Sequence, residues 1–450
     1  MHTQFFQITQ KMMQKRVLLI GGNFYPEPIG IGKYNGEMIE WLTENGYDCT
    51  VITSFPYYPQ WKVQKPYTKN AFWYKKEQKY YKPFYEKSIR IYRCPQYVPT
   101  TPTGFKRMLN GFTFFMTSFF VILKLMFNSK FDFVISVVPS FETGLLAILY
   151  KKIRGGKFLY HIQDLQIDAA RDLKILKSSL LIKFLLRIEK YILKNADVVT
   201  SISSGMMEKV KIKCNKKVDF FPNWVDGKII FPISNKAELK EEFGFNPSNK
   251  IILYSGAVGE KQGLENILYV ADQFRTYDHL DFVICGSGPY LKRLEEIKKE
   301  LGLNNVTFMP TQPVEKLNHF LNMADLHLIL QRADASDLVM PSKLTNILAI
   351  GGVPVVTASQ SSSLYDLIES KGLGIIAPPD NVQELAKAIG YAIITSNLEI
   401  SANALEYAKQ NFSIENIISN FSLHMKEVSS TKTSESLDLH INDQLLGMEV

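Results

Sequence analysis

The sequence predicts an α/β chain built as two consecutive doubly wound halves, and three observations carry that reading. Short apolar runs such as RVLLI (16–20) and IILYSG (251–256) read as strands buried on both faces. Each is followed by a loop, a helical stretch with an apolar stripe, and a further apolar run. Strand, helix, strand in that order is a βαβ unit, and such units build parallel sheets. The series restarts once, after a mixed and charged stretch at 227–250. The length of 450 residues fits two or three domains.

The elements follow in order. After RVLLI comes the loop NFYPEPIGIG, then a helix from about Gly32 to Asn45, with Tyr34, Met38, Trp41 and Leu42 on one stripe. YDCTVIT (47–53) is the next strand. FDFVISVVPS (131–140), KFLYHIQDL (157–165), DVVTSIS (197–203) and VDFFPNWVD (218–226) complete the first half, with helices between them. The second half runs through strands at 251–256, 280–288, 305–310, 325–331, 353–359 and 372–378. The boundary falls near 223–235, giving domains of 1–228 and 229–404. A last helix over about 405–427 is expected to pack back on the first domain, ahead of a polar tail at 429–450.

Composition excludes several classes. A 46% hydrophobic share with 29 Phe and 22 Tyr rules out wholesale disorder. The four cysteines are widely spaced with no Cys-x-x-Cys pair, which argues against a disulfide scaffold or a cysteine zinc site. The seven histidines show no metal-ligand cluster. The first 15 residues lack the continuous apolar core of a secretory signal. Gly111–Phe127 is the best membrane-span candidate, but it is short and interrupted by Lys124, so it reads as a buried or membrane-surface helix.

Several positions bear chemistry. Gly30 and Gly32 let backbone N–H groups approach a ligand beside a helix start. A nicotinamide fingerprint would set its glycines tight against the strand; here Gly30 lies ten residues past Ile20, and the second strand ends in Thr53-Ser54 rather than an acid. In the second half, Gly256 ends a strand, and Lys261 sits in the loop before a helix, placed to hold a diphosphate as a point charge. Met340-Pro341-Ser342-Lys343 opens another helix, with Ser342 as a natural N-cap and Lys343 and Asn346 near its start. Two such strand-to-helix junctions describe a nucleotide site; simple capping and solvation is the plainer alternative. Gly286-Ser287-Gly288 is as consistent with an ordinary turn.

His161 and Asp164 end a strand of the first half, where an imidazole or carboxylate can orient an acceptor hydroxyl, or can be a satisfied structural residue. The stretch 61–93 carries Lys or Arg at ten positions against Glu77 and Glu86, interleaved with Trp61, Phe72, Trp73 and several Tyr. That suits an anionic membrane surface, with Lys75, Lys76, Lys79 and Lys82 as docking charges, more than nucleic acid, for which no recognised module appears. A solvated charged loop is the alternative.

Together, LLIGGNFYPEPIGIGKYNGEMIEWL, YHIQDLQIDAA, YSGAVGEKQGLENIL and LVMPSKLTNILAIGG resemble the retaining glycosyltransferases of family 4, over roughly 16–425. The resemblance implies a GT-B fold, two Rossmann-like domains facing a central cleft. It implies an acceptor-binding N-terminal domain and a C-terminal domain that holds a UDP- or GDP-linked sugar, with no metal or other cofactor required. Gly30 and Gly32 would then lie near the donor, and Lys261 would match the family's phosphate-loop lysine. Where the family often has Arg, this chain has Ala257, leaving Lys343 or Arg332 to supply the second charge. Of the family's two glutamates, the second falls on Asn346 and the first near Asp337–Leu338. Its acceptor-side histidine corresponds loosely to His161, with Asp164 close by. The implied activity is sugar transfer with retention to a lipid-linked saccharide acceptor in capsule, O-antigen or exopolysaccharide synthesis, by an enzyme peripheral on the cytoplasmic face of the membrane. The alternative is a non-catalytic nucleotide-binding assembly protein at the membrane.

Overall fold

A computed structural model describes residues 14–27, 30–80, 88–172, 178–333 and 341–428. Lys82, Asp337, Leu338, Met340 and the tail at 429–450 lie outside the described residues. Contacts divide the chain into two units, Met1–Phe221 with Ile418–Val450, and Pro222–Ile417.

Unit 1 is built on strands β1 (Arg16–Ile20), β2 (Asp48–Ser54), β3 (Lys75–Tyr80), β4 (Ser88–Cys94), β5 (Phe133–Val138), β6 (Lys157–Ile162), β7 (Val198–Ser201) and β8 (Asp219–Phe220). They form one sheet in the order β3-β4-β2-β1-β5-β6-β7-β8. All neighbours run parallel except β3 and β4. Its helices are α1 (Gly30–Glu44), α2 (Gly104–Met126), α3 (Thr143–Arg154), α4 (Gln166–Asp172), α5 (Ser179–Asn195) and α6 (Ser204–Cys214). Val17 to Ile20 and Phe133 to Ile135 are fully buried, as continuous apolar strands of a covered parallel sheet should be. The strand order reverses direction between β1 and β5, so a ligand crevice is expected at the carboxyl ends of those two strands.

The edge hairpin β3–β4 is a departure from the sequence reading, which placed no strand in 61–93 and read the stretch as a membrane-docking surface, with a solvated charged loop as the alternative. Arg93 is 1% exposed and ties the hairpin together. Its Nε donates to Glu77 at 2.6 Å, and its Nη atoms donate to the carbonyls of Ser54 and Tyr25 at 3.2 and 2.8 Å. A guanidinium bonded through all three of its nitrogens and paired with a carboxylate satisfies the burial rule for charges.

Unit 2 contains β9 (Lys250–Ser255), β10 (Leu280–Cys285), β11 (Val306–Met309), β12 (Leu326–Ile329), β13 (Pro354–Thr357) and β14 (Ile375–Ala377). All are parallel, in the order β11-β10-β9-β12-β13-β14, so its reversal point lies between β9 and β12. The helices are α7 (Lys236–Glu242), α8 (Glu265–Gln273), α9 (Leu291–Leu301), α10 (Val314–Asn322), α11 (Lys343–Ala349), α12 (Ser363–Lys371), α13 (Val382–Ile394) and α14 (Leu398–Asn411).

The single closing helix expected at 405–427 is two helices, α14 and α15 (414–428). The break has a cause distant in sequence. Val225 N–H donates to the Phe412 carbonyl at 2.8 Å, and Ser413 forms a bridge with Val225, taking the chain out of helical pairing. From Ile418 onward α15 belongs to unit 1, where Phe421 stacks on Phe221 at 4.2 Å and Ser422 shares a hydrogen bond with Tyr47.

Candidate functional site

In unit 2 the structure gathers most of the expected donor residues at the carboxyl ends of β9 and β12. β9 ends at Ser255-Gly256, and the chain then turns through residues 257–259 into a 3-10 turn that holds Lys261. The loop is pinned by backbone pairing to the next junction: Gly256 N–H donates to Cys285 at 2.9 Å and Val258 N–H to Ser287 at 3.0 Å. A Cβ on Gly286 would fall 1.8 Å from the Gly256 carbonyl oxygen, and one on Gly288 would fall 2.0 Å from that of Val258. These two glycines therefore serve close backbone packing, and the G-x-G of this strand is structural.

Lys343 opens α11 and reaches back to this loop. The residue is half-buried, but its Nζ has no accessible surface and no hydrogen-bond partner. The Nζ lies 3.6 Å from the centroid of the Tyr254 ring and 3.0 Å from where a Cβ on Gly256 would stand. Burial pushes its pKa down to about 7. One turn along, Asn346 presents a buried Oδ1 that also lacks a partner; positions three apart share a helix face. Both are buried polar atoms without a partner beside the β9–β12 reversal point, where ligands of such sheets bind.

The other cation considered for that role is committed elsewhere. Arg332 pairs with Glu265, lies 3.6 Å from Asp380, and donates from Nε to the Glu260 carbonyl at 2.8 Å. Lys261 is exposed on the loop, and its carbonyl accepts from Arg332 N–H at 3.2 Å. Ser342 corrects an expectation. It occupies the position before α11, yet its backbone is already helical and its side chain makes no capping bond. With seven residues α11 is also short, so its end contributes little positive potential.

Gly30, Gly32, His161 and Asp164 belong to unit 1. α1 begins at Gly30, two residues before the expected start. Gly32 has a specific reason: a Cβ there would fall 2.7 Å from the Glu27 carboxylate. Glu27, which the sequence reading missed, is 2% exposed and organises the loop. Its Oε1 accepts from the N–H groups of Tyr57 and Tyr58 at 2.9 Å each, and its Oε2 accepts from Asn23 at 2.9 Å. Desolvation still raises its pKa above the usual carboxylate range. Its one sequence signal was being the sole acid in NFYPEPIGIG.

His161 is 3% exposed. Its Nδ1 shares a hydrogen bond with Thr200 Oγ1 at 2.8 Å, and its ring meets the edge of Phe221 at 5.0 Å. Burial pushes its pKa down to about 3, so it stays neutral at physiological pH. That placement makes it a core histidine rather than a surface acid or base. Asp164 is half-buried in the turn between β6 and α4; the pKa of Tyr58 is raised chiefly by burial, with the charges of Glu27 and then Asp164 adding to it. The following helix α4 is anchored by Lys213, whose Nζ bonds Asp168 and also Glu189 at 2.7 Å. Glu142 was also missed. It sits just after β5, its buried Oε1 has no partner, and burial raises its pKa to about 7.

Of the docking lysines, Lys75 pairs with Glu77 at 2.8 Å and Lys79 with Glu40 at 3.5 Å. Lys76 lies 5.9 Å from the centre of the Tyr92 ring. Exposed Phe72 and Trp73 precede the hairpin. α2 adds a stronger feature. Its buried side is formed by Asn110, Phe114, Ser118, Val121, Ile122, Leu125 and Met126. The opposite side exposes Phe105, Leu109, Phe112, Met116, Phe120 and Leu123, spaced three and four apart. α2 is also the one described helix long and apolar enough to cross a membrane. Among the described residues, no group of three or more His, Cys, Asp or Glu side chains is arranged to hold a metal ion.

The comparisons agree with this geometry. Residues 235–411 match the family model for glycosyl transferases group 1, and residues 30–224 match that for the glycosyl transferase 4-like domain. The chain is 37% identical over 417 residues to WcaI of Escherichia coli K12, which is named as a colanic acid biosynthesis glycosyl transferase; the match covers 90% of this chain and 98% of WcaI. Among solved structures, sucrose-phosphate synthase from Thermosynechococcus elongatus is similar with a TM-score of 0.70 at 16% identity, covering 93% of this chain and 100% of the other. HepE from Anabaena, solved with UDP, gives 0.65 at 14% identity, covering 92% and 100%. Two parallel-sheet units with this pattern of strand reversal, two family matches that together span most of the chain, and a full-length relative lead to one conclusion: the chain belongs to the family-4 glycosyltransferases of GT-B fold.

Proposed function

We propose that this glycosyltransferase moves a sugar, with retention, from a UDP- or GDP-linked donor to a lipid-linked saccharide acceptor in the synthesis of a cell-surface polysaccharide. The observation that carries the donor side is Lys343 Nζ, buried without a partner against Gly256 where β9 and β12 diverge. The likeness to WcaI supports the polysaccharide assignment, and the UDP bound to HepE supports the donor class.

The chemistry follows from charge. As the bond from sugar to diphosphate breaks, negative charge grows on the leaving diphosphate. Among the described residues on this rim, Lys343 and Lys261 are placed to stabilise it, and Asn346 can accept from a ribose hydroxyl. Such preplaced groups each contribute about 2–4 kcal/mol to the transition state. No step is assigned to a metal. On the acceptor side, Asp164 stands at the carboxyl end of β6 and can take a hydrogen bond from an acceptor hydroxyl. In retention by same-face attack, the departing phosphate oxygen takes the hydroxyl proton, so a dedicated protein nucleophile is unnecessary.

A lipid-linked acceptor requires docking at the cytoplasmic leaflet. The exposed apolar stripe of α2, flanked by Lys106, Arg107 and Lys124, suits insertion among anionic headgroups.

The test incubates the pure full-length chain with a panel of UDP- and GDP-sugars, with and without a lipid-diphosphate-linked monosaccharide. One donor should release its nucleotide slowly alone and faster with acceptor, giving an α-linked product from an α-linked donor. Tight nucleotide binding with no turnover of any donor would instead favour a non-catalytic assembly protein.

A further inference from the structure

An ammonium buried without an anion costs several kcal/mol, so a lysine in that position sheds its proton or finds a partner. Lys343 has found no partner: its Nζ is sealed from solvent, and among the described residues no carboxylate pairs with it. The groups around it are few. Tyr254 on β9 presents its ring face and donates its hydroxyl to the Ala257 carbonyl at 2.7 Å; burial keeps that phenol protonated. Arg332, beyond β12, is held by Glu265 and Asp380, and Lys261 points its charge from the exposed loop. On its own helix, Ser342 and Asn346 carry no charge.

We propose that Lys343 takes up a proton when a nucleoside diphosphate binds, so that donor binding and charging of this side chain are one linked event. The inference rests on the donor reading above. The Nζ, closed to solvent in the free structure, must be uncovered as the ligand enters; the neutral amine then takes a proton from solvent, and the ammonium donates its N–H groups to diphosphate oxygens, with no covalent bond to the ligand formed or broken. Before binding, burial favours the neutral amine, and among the described residues the face of the Tyr254 ring is the one group beside it that favours the charge. After binding, the diphosphate supplies the counter-charge that the protein withholds. The device favours an anion over a neutral sugar, because only an anion restores the charge. Affinity should weaken as pH rises above the ordinary neutral range, by up to tenfold per unit.

Titration calorimetry of the full chain with UDP and with GDP at pH 8.0, in buffers of different ionisation enthalpy, tests this. At that pH the terminal phosphate of either nucleotide is already ionised. The slope of observed enthalpy against buffer ionisation enthalpy should show uptake of about 0.9 proton per nucleotide bound, the share of a group with a pKa of about 7 that is neutral at pH 8. Lys343→Arg, which is always charged, should bind with a slope near zero. Lys343→Met should lose the uptake together with at least tenfold in affinity, and it covers the case in which arginine does not fit. Saturable binding by the parent with zero slope would overturn the inference alone. An unchanged slope in either variant would overturn it too. No binding by UDP or GDP would overturn the donor reading and the inference with it.

Discussion

Lys261 in a loop before a helix, Lys343 at a helix start and His161 near a strand end have similar standing in the sequence, as polar residues where a ligand could be met, yet the structure gives them three different roles. Lys261 is an exposed charge on a loop held rigid by backbone pairing. Its replacement by Ala should lower kcat/KM for the donor by about 30- to 1000-fold with little change in Tm, since one phosphate contact is worth about 2–4 kcal/mol; steady-state kinetics beside a melting curve would show it, and unchanged turnover would remove Lys261 from the mechanism. His161 should behave oppositely. With its ring buried against Phe221 and bonded to Thr200, His161→Gln should lower stability while kcat of the folded fraction stays within about threefold. A hundredfold fall in kcat with normal stability would restore the imidazole to catalysis. The positions of all three residues were legible in the sequence. Their environments were not, because each depends on a distant segment. Lys343 is distinguished from Arg332 by the Gly256 loop and by the carboxylates of Glu265 and Asp380, none of which adjoins it in sequence.

At the scale of elements, the strands that read clearly were those buried on both faces. β1, β5, β9 and β10 are short, mostly apolar runs bounded by loop residues, and their length and β-branched or aromatic content favour strand over buried helix. β3 and β4 escaped notice because KKEQKY and SIRIYRC are basic rather than continuously apolar; β3 is the edge strand, where charge is common, and β4 pairs beside it. What makes them a hairpin is Arg93, whose buried guanidinium is satisfied by Glu77 and two carbonyls. The hydrophobic run in α2 was legible as well, but not its division into a packed side and an open one. That division makes a prediction. Replacing Phe112 and Phe120, both more than half exposed, with Glu should weaken cosedimentation with anionic vesicles by at least tenfold, at about 1.5–3 kcal/mol per inserted side chain. Tm and affinity for UDP or GDP should not move. Undiminished vesicle binding by the double variant would mean that this face meets something other than lipid.

Across the whole molecule, the two units carry different ionisation ledgers. Unit 2 buries His327, whose pKa is pushed down to about 3, and holds Asp325 below its ordinary value by Lys240 and the Ile251 N–H despite desolvation. As pH falls below 6.5, the unfolded chain binds a proton that folded His327 refuses, so stability is lost at about 1.4 kcal/mol per pH unit. Asp325 adds a loss in the same direction at lower pH. In unit 1, His161 costs stability likewise, but Glu142, with its pKa raised to about 7, takes up its proton in the fold before the unfolded chain does and returns a similar amount as pH falls from 7 to 4.5. Between pH 7 and 5, therefore, hydrogen exchange should show the amides of β9 and β12 losing protection before those of β1 and β5; the reverse order would contradict these assignments. The two-unit architecture was legible because the βαβ series visibly restarts. The split of the closing helix into α14 and α15 was not, because it is imposed by Val225, far back in the chain.

The central claim is that unit 2 holds the donor diphosphate at the carboxyl ends of β9 and β12. Hydrogen exchange of the full chain with and without saturating UDP or GDP tests it most directly. The account predicts slowed exchange in residues 256–263, 330–333 and the first turn of α11, with the core amides of β13 and β14 unaffected. Protection confined to unit 1, or none in either unit with nucleotide bound, would contradict it.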